Sequence, residues 1–525
     1  MDGARYNAAA DLIGRNLAAG RARKIAIIDD RGSYTYADLA ERAGRCAAAL
    51  GRLGVMPEQR VLLCLHDGID FPTAFLGAIE AGIVPVAVNT QLGADAFAFM
   101  LADSRARAVI VSAPILPVMQ AALARLAPPV PRLIVSGGQT EADHNLAALL
   151  AAAPAMADPA ATHPDEPCFW LYSSGSTGRP KGTVHLHASL AETAERYAVS
   201  VLGMADSDVV FSAAKLFFAY GLGNALTFPM AVGATSVLTA ERPSPAVAAD
   251  MLRRHRPTIF CAVPTLYNAM LADPGLPLAE ELALRRCVSA GEPLPAEIGR
   301  RWSRRIGVDI LDGLGSTEML HIFLSNRPGE VRYGTTGKPV PGYAVQIVDE
   351  TGQEVRRGEI GDLLVRGPTA AAHYWNNRER SRATFLGPWT RTGDKYFEDQ
   401  DGYFVYCGRS DDMLKVNGMY VSPAEVEAAL ISHDDVLEAA VVGAPDDDGL
   451  IKAKAFIVAK PGITADESLA RALAAHAKTL LAPFKCPRWI VFLDELPKTA
   501  TGKIQRFKLR EADAASQPSP IAICG

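Results

Sequence analysis

Short apolar runs alternate with alanine-rich helical patterns through the first half of the chain. RVLLCL from Arg60, AVIVS after Arg107, RLIVS after Pro131, DVVFSAA from Asp208, TSVLT from Thr235 and PTIFCAVP from Pro257 each have the length and β-branched content of a strand. Runs that are apolar throughout, rather than alternating, belong to strands covered on both faces, so the pattern predicts crossover units and largely parallel sheets. The most apolar stretch, FPTAFLGAIEAGIVPVAVNT from Phe71, carries Glu80, Pro72 and Pro85, which interrupt any membrane span and leave a helix feeding a buried strand. The Ala/Pro-rich segment Ala147 to Pro167 reads as a surface connection.

Beyond Tyr333 the texture changes. AVQIVDE, GDLLVRG and GYFVYCGR are short alternating strands separated by TG, RG and DG turns, the pattern of an antiparallel or barrel-like subdomain. SPAEVEAALISH then reads as a capped helix, starting at Ser422 or Pro423, with Val426, Leu430 and Ile431 on one side. LEAAVVGAP and KAFIVAKPG flank a polar loop, and ESLARALAAHAKTLL is a further helix. The expected architecture is α/β: a large N-terminal domain of αβ-layered sheets plus a β-rich subdomain over residues 1–410, and a small α+β domain over 411–525, with the border in GRSDD at Gly408.

A length of 525 residues exceeds one core, and 49% hydrophobic with 21% charged residues is ordinary globular composition. A net charge of -5 without a long basic tract disfavours nucleic acid. The eight cysteines are scattered without metal-ligand spacing, which fits a reducing cytoplasm. MDGARYNAAADLIGRN lacks the basic head, apolar run and cleavage site of a secretory signal, so none is expected, and neither is a membrane.

One stretch, YSSGSTGRPKGTVH from Tyr172 to His185, concentrates glycine and hydroxyl residues before a lysine. Glycines let backbone N–H groups close on an anion, hydroxyls add donors, and a lysine adds full charge, so Ser173, Ser174, Gly175, Ser176, Thr177, Gly178 and Lys181 suit a polyphosphate. The bland alternative is a Gly/Ser surface loop. The stretch lacks both the Gly-Lys-Ser/Thr ending of a Walker A loop and the G-x-G-x-x-G fingerprint.

YSSGSTGRPKGTVH resembles the phosphate-binding signature of the adenylate-forming superfamily, which includes acyl- and aryl-CoA synthetases, peptide-synthetase adenylation domains and luciferases. Five further segments follow in that family's order: SAGEPLP from Ser289, DGLGSTE from Asp312, RTGDKY from Arg391, GRSDDMLKVNG from Gly408 and PKTATGKIQR from Pro497. The resemblance implies Glu318 as the Mg2+-binding carboxylate, Thr317 as a donor to the α-phosphate, and Gly315 and Ser316 as further ATP-binding residues. It places Gly291, Glu292 and Pro293 along adenine with Asp312 as acceptor for its amine, and Asp394 and Arg409 at the ribose, where an ordinary turn salt bridge is their alternative. Lys503 becomes the catalytic lysine of adenylation, Asp411 the hinge of a mobile C-terminal domain, and Gly418 part of the CoA tunnel, although a plain turn glycine is its alternative. Leu314 stands where the family often has an aromatic residue, so apolar contact replaces stacking.

KLFFAYGLGNAL, Lys215 to Leu226, has no acidic residue to pair an amino acid's ammonium. Phe217, Phe218 and Tyr220 with the small Ala219, Gly221 and Gly223 make either a flat aryl slot or ordinary core. Together with GSTEMLHIFLSN and YGTTGKPVPGY, the segment resembles the benzoate-CoA and 4-hydroxybenzoate-CoA ligase branch. Phe218, Ala219, Tyr220, Gly221 and His321 would then hold an aromatic acid, His321 neutralising or hydrogen-bonding the carboxylate. The implied reaction joins benzoate or a substituted benzoate to coenzyme A at the expense of ATP. Alternatives are a stand-alone enzyme loading a carrier protein and a silent nucleotide-binding protein. Partners are the acid, ATP and CoA, with a homodimer left open.

Overall fold

A computed structural model describes residues 5–525 apart from 139–143, 157, 175–179, 411, 417–418, 447–449, 499–503, 515–520 and 523–525. All six expected runs are strands. Arg60–Cys64, Ala108–Ser112 and Arg132–Ser136 lie in one sheet, and Val209–Ser212, Thr235–Val237 and Ile259–Ala262 in a second. Their apolar character has a direct cause. Val61 and Leu63 pack into one core while Leu62 and Cys64 pack into another, all four fully buried. Successive residues of a strand face opposite sides, so a sheet covered on both faces leaves no polar position.

The first sheet runs His373–Tyr374, Pro180–Leu186, Pro167–Ser174, Val84–Ala87, Arg60–Cys64, Ala108–Ser112, Arg132–Ser136, His144–Asn145. It is parallel from Pro167–Ser174 onward and antiparallel where Pro180–Leu186 pairs with its two neighbours. The second sheet runs Lys338–Pro339, Ile322–Ser325, Ile310–Gly315, Arg286–Ala290, Ile259–Ala262, Val209–Ser212, Thr235–Val237, Ile25–Asp29, Gly32–Thr35. Its middle is likewise parallel, and Ile310–Gly315 turns back antiparallel onto Ile322–Ser325. Helices Ala8–Ala18, Tyr36–Arg52 and Asp70–Glu80 share one core with Ile27 of the second sheet, Leu238 just beyond its strand Thr235–Val237, and Val61 and Leu63 of the first, so a helical layer is common to both. Asp70–Glu80 is the expected buried helix, feeding Val84–Ala87. A Cβ on Gly77 would come within 2.6 Å of the Ala43 carbonyl, so only glycine lets this helix cross Tyr36–Arg52 so closely.

The segment from Ala147 is less of a connection than its composition implies. Its first residues complete the helix Leu146–Ala152, whose Leu150 is buried, and Ala153 and Thr162 are buried as well. After Tyr333 the chain forms an antiparallel sheet of Ala344–Val348, Gly361–Arg366 and Trp389–Glu398, with Phe385–Leu386 and Phe404–Arg409 both paired to the long strand. Val436–Pro445, Ile451–Ala459, Trp489–Phe492 and Ile521–Ala522 form a smaller sheet backed by helices Pro423–Ile431 and Glu467–Leu480. The N-cap is Ser422, whose hydroxyl accepts the Glu425 N–H at 3.1 Å, and Pro423 is the first helical residue. The fold is therefore α/β, with a large N-terminal part and a smaller C-terminal one.

Among the described residues no helix is long and apolar enough to cross a membrane. Seven described cysteines are free thiols, six of them buried and Cys486 partly exposed.

Candidate active site

Two hairpins, one from each large sheet, supply the residues that meet. In the first, Ser173 pairs with Lys181 and Ser174 with Pro180 across the strands Pro167–Ser174 and Pro180–Leu186. Gly175, Ser176, Thr177 and Gly178, expected at the phosphates, lie outside the described residues, and so does the side chain of Ser174. In the second, the strand Ile310–Gly315 gives way to a turn over Ser316 to His321 and returns as Ile322–Ser325, with a bulge beside Gly315. A Cβ on Gly315 would sit 2.7 Å from the His321 carbonyl, so the bulge requires glycine.

The second turn is held at almost every residue. Ser316 Oγ accepts the Met319 N–H at 3.2 Å, and the Thr317 carbonyl accepts from Leu320 N at 3.2 Å and from His185 Nε2 at 2.8 Å. The Glu318 carbonyl accepts from Ala371 N at 2.7 Å, and Leu320 takes a positive φ of 67°. His185 is fully buried and stacked on Phe169, and burial depresses its pKa to about 4. It is therefore a neutral imidazole that donates from Nε2 to a carbonyl.

These constraints fix the direction of Glu318. Its Oε1 accepts 2.7 Å from the Tyr374 hydroxyl and 3.4 Å from Ser173 Oγ, and lies 3.8 Å from Lys181 Nζ. Lys181 Nζ is also 3.3 Å from the Tyr374 hydroxyl and 4.3 Å from its ring centre. Desolvation lowers the lysine's pKa, against the opposing pull of Glu318. One anion and one cation, both mostly buried, thus lie 3.8 Å apart beside the ends of the strands Pro167–Ser174 and Pro180–Leu186. The sequence pointed to Ser173, Lys181 and Glu318. It held no sign of Tyr374, and His185 ended the quoted stretch without drawing notice.

The residues expected along adenine also occupy neighbouring strands. Asp312 lies opposite Ser289 in the parallel pair Arg286–Ala290 and Ile310–Gly315. Burial raises the Asp312 pKa to about 8, and its Oδ1 has no hydrogen-bond partner among the described residues. Gly291 takes a φ of 95° just past its strand, and Glu292 accepts from Thr265 Oγ1 at 2.7 Å, with Pro293 next in line. Leu314 is half-buried against the core that includes Tyr220. Asp394 and Arg409 are register partners, and Arg409 Nη1 bonds Asp394 Oδ1 at 3.1 Å.

The aryl segment is a helix with an inserted wide turn: Ala219–Leu222 is α-helical, Gly223–Thr227 is a π-helix, and Phe228–Val232 returns to α. Such insertions cluster at functional sites. Phe218, Ala219 and Tyr220 are half-buried, and Phe218 stands edge-on to Phe217 at 4.5 Å between ring centres. Gly221 is mandatory, because a Cβ would fall 2.1 Å from the Lys215 carbonyl. The Tyr220 hydroxyl donates to the carbonyls of Val288 at 3.0 Å and Ala262 at 3.3 Å, joining the slot to the second sheet.

His321 packs among Tyr197, Tyr220 and Phe228, with centroids 5.3, 5.7 and 4.5 Å away. Burial drives its pKa down to about 3. A neutral ring supplies no positive charge to a carboxylate, and its Nε2 is engaged by the Tyr220 carbonyl at 3.3 Å.

Lys503, Asp411 and Gly418 lie outside the described residues. The segment bearing Lys503 is closed at its base by pairing of Lys498 with Ile504 and a bond from Gln505 N to the Pro497 carbonyl. Arg506 then makes a two-pronged bond to Glu427, with Nη2 2.8 Å from each carboxylate oxygen.

Residues from two largely parallel sheets that meet at Glu318, followed by a smaller C-terminal unit, define a class. The family model for AMP-binding enzymes matches residues 15–375 and that for the AMP-binding enzyme C-terminal domain matches 425–503. The chain belongs to the AMP-binding enzyme family. Within it, the chain is 62% identical over 510 residues to the benzoate–CoA ligase of Thauera aromatica, covering 97% of this chain and 96% of that one. It is 52% identical to the 4-hydroxybenzoate–CoA/benzoate–CoA ligase of Rhodopseudomonas palustris, covering 99% and 98%. The crystal structure of a benzoate CoA ligase from Burkholderia xenovorans LB400 superposes with a TM-score of 0.91 at 56% identity, covering 96% of this chain and all of that one.

Proposed function

We propose that this enzyme is an acid–thiol ligase that joins benzoate, or a substituted benzoate such as 4-hydroxybenzoate, to coenzyme A through an acyl-adenylate. The observation that carries the reading is the turn from Ser316 to His321. It directs Glu318 toward Lys181 and Tyr374, and three residues later sets His321 against the aryl segment. One short backbone unit therefore addresses a phosphate on one side and an aromatic acid on the other. The relatives at 62% and 52% identity support the same substrate class.

In the first half-reaction a carboxylate oxygen of the acid attacks the α-phosphorus of ATP, the bond to the β-phosphate breaks, and pyrophosphate leaves. Two anions must approach, so positive charge and N–H donors at the phosphates lower the barrier. Lys181 and the glycine-rich stretch serve the leaving pyrophosphate, Thr317, Gly315 and Ser316 the α-phosphate, and Lys503 bridges acid and phosphate. Asp312, with Gly291, Glu292 and Pro293, receives adenine. The unpartnered Oδ1 of Asp312 suits an amine N–H. Asp394 and Arg409 receive the ribose.

Among the described residues no cluster of three metal-ligating side chains exists, and Glu318 is the carboxylate beside Lys181 and Ser173. A single carboxylate with phosphate oxygens and water fits Mg2+, which would offset phosphate charge there. In the second half-reaction the CoA sulfur attacks the acyl carbon, AMP departs, and the thiol proton passes to solvent. Rotation of residues 411–525 about Asp411 exchanges Lys503 for the Gly418 segment between steps. The enzyme works in the cytoplasm, where its buried free thiols stay reduced, and gel filtration with light scattering decides between monomer and homodimer.

Exchange of labelled pyrophosphate into ATP in the presence of benzoate, and formation of soluble thioester with free CoA, test the reading. No exchange with any aromatic acid overturns it. Exchange without soluble thioester replaces it with a carrier-loading enzyme. Lys503→Ala is expected to lower adenylate formation by about a hundredfold or more while sparing thioester formation from supplied adenylate; equal losses in both steps reject its assignment.

A further inference from the structure

Asn224 is completely buried, and neither its Oδ1 nor its Nδ2 has a hydrogen-bond partner among the described residues. A buried amide without partners is destabilising, so such groups are held by water or ligand. It lies on the wide turn Gly223–Thr227, where Tyr220, Asn224 and Phe228 recur every four residues and so share one face. Both flanking residues touch His321: the Tyr220 carbonyl is 3.3 Å from Nε2, and the Phe228 ring is 4.5 Å from the imidazole centre. Gly223 lies so near that a Cβ there would meet the imidazole at 2.5 Å.

His321 adds a second orphan. A carbonyl only accepts, so the bond to Tyr220 places the ring proton on Nε2 and leaves Nδ1 as a bare acceptor, buried and without a partner among the described residues. A lone-pair nitrogen repels a carboxylate. It suits a group that brings its own hydrogen.

We propose that Asn224, together with Nδ1 of His321, forms a polar seat for a hydroxyl or amino substituent on the ring of the aromatic acid. This rests on the aryl-CoA ligase reading and names the part of the substrate that the slot discriminates. A phenol satisfies both groups at once, donating to one and accepting from the Asn224 amide. Unsubstituted benzoate leaves the seat to water, and a methyl group there strands both.

The test is a panel of benzoate and its 2-, 3- and 4-hydroxy, amino and methyl derivatives, compared by kcat/KM in the wild type and in Asn224→Leu. In the wild type, at one ring position the hydroxy or amino acid is preferred over its methyl counterpart by about tenfold or more. Asn224→Leu collapses that ratio to about one. Asn224→Ser, which keeps one donor and acceptor, restores part of the preference and covers the case in which the leucine variant fails to fold. Absence of any hydroxyl-over-methyl preference in the wild type, or a ratio untouched by the substitutions, overturns the proposal. So does a uniform loss across the panel, which marks a structural amide. A wild type that activates no acid at all, benzoate included, defeats the ligase reading and this one with it; normal benzoate turnover without the preference defeats this one alone.

Discussion

The two hairpins that meet at Glu318 are built alike and used differently. Each closes a parallel sheet with an antiparallel return, and each follows a strand buried on both faces. The first joins its strands through Gly175, Ser176, Thr177, Gly178 and Arg179, residues that offer backbone and hydroxyl donors, and it contributes side chains from the strand ends at Ser173 and Lys181. The second contributes from the turn itself, whose carbonyls at Thr317 and Glu318 are gripped by His185 and Ala371. The gripping histidine belongs to the first hairpin. On the proposed reading, a loop that meets phosphate with backbone donors needs little outside support for side-chain direction, whereas a turn that must aim one carboxylate needs a great deal.

That contrast predicts a ranking. Glu318→Gln should have the largest effect, lowering adenylate formation with benzoate by about 100- to 1000-fold in pyrophosphate exchange, with little change in Tm. A loss under about tenfold would mean that the aimed carboxylate is not where the turn does its work. His185→Phe retains the stacking on Phe169 but removes a donor from the Thr317 carbonyl. It is expected to reduce kcat about tenfold, and a purely structural histidine would instead lower Tm and spare kcat in the folded fraction. Tyr374→Phe deletes the 2.7 Å bond to Glu318 and should raise KM for ATP severalfold while kcat changes less.

The smallest effect is on stability. His185, His187 and His321 are neutral in the fold, with pKa values near 4, 4 and 3 against 6.5 when unfolded. The unfolded chain therefore binds more protons as pH drops, so their contribution is present above about 6.5 and declines toward pH 4. Tm measured from pH 7 to pH 5 should fall, and His185→Phe should make the decline shallower.

Much of this was readable from residues alone. Doubly buried strands carry unbroken apolar runs, and a phosphate loop must be rich in glycine, so both leave marks in order along the chain. The antiparallel returns left weaker marks, because Pro180–Leu186 and Ile322–Ser325 look like any other strand until their partners are known. Tyr374 pairs with Glu318 from fifty-six positions away, a contact that no spacing rule reports. The wide helical turn at Gly223–Thr227 was hidden as well, since its sequence, GNALT, satisfies an ordinary helix. The Ala/Pro-rich stretch after Leu146 misled by composition: alanine serves a short packed helix as well as a surface strand of chain. Asp394 and Arg409 stood out singly, each with a turn salt bridge as its alternative, and they pair with each other.

The distribution of thiols carries a practical consequence. Cys46, Cys64, Cys168, Cys261, Cys287 and Cys407 are sealed in the interior, and burial pushes the Cys46 and Cys287 thiols up to about 12, beyond the reach of ordinary alkylating dyes. Cys486, on the smaller unit and partly open to solvent, is the accessible sulfhydryl among the described residues. With Cys524 changed to serine, a fluorophore on that one atom marks the smaller unit at a defined place and tests whether it moves during turnover.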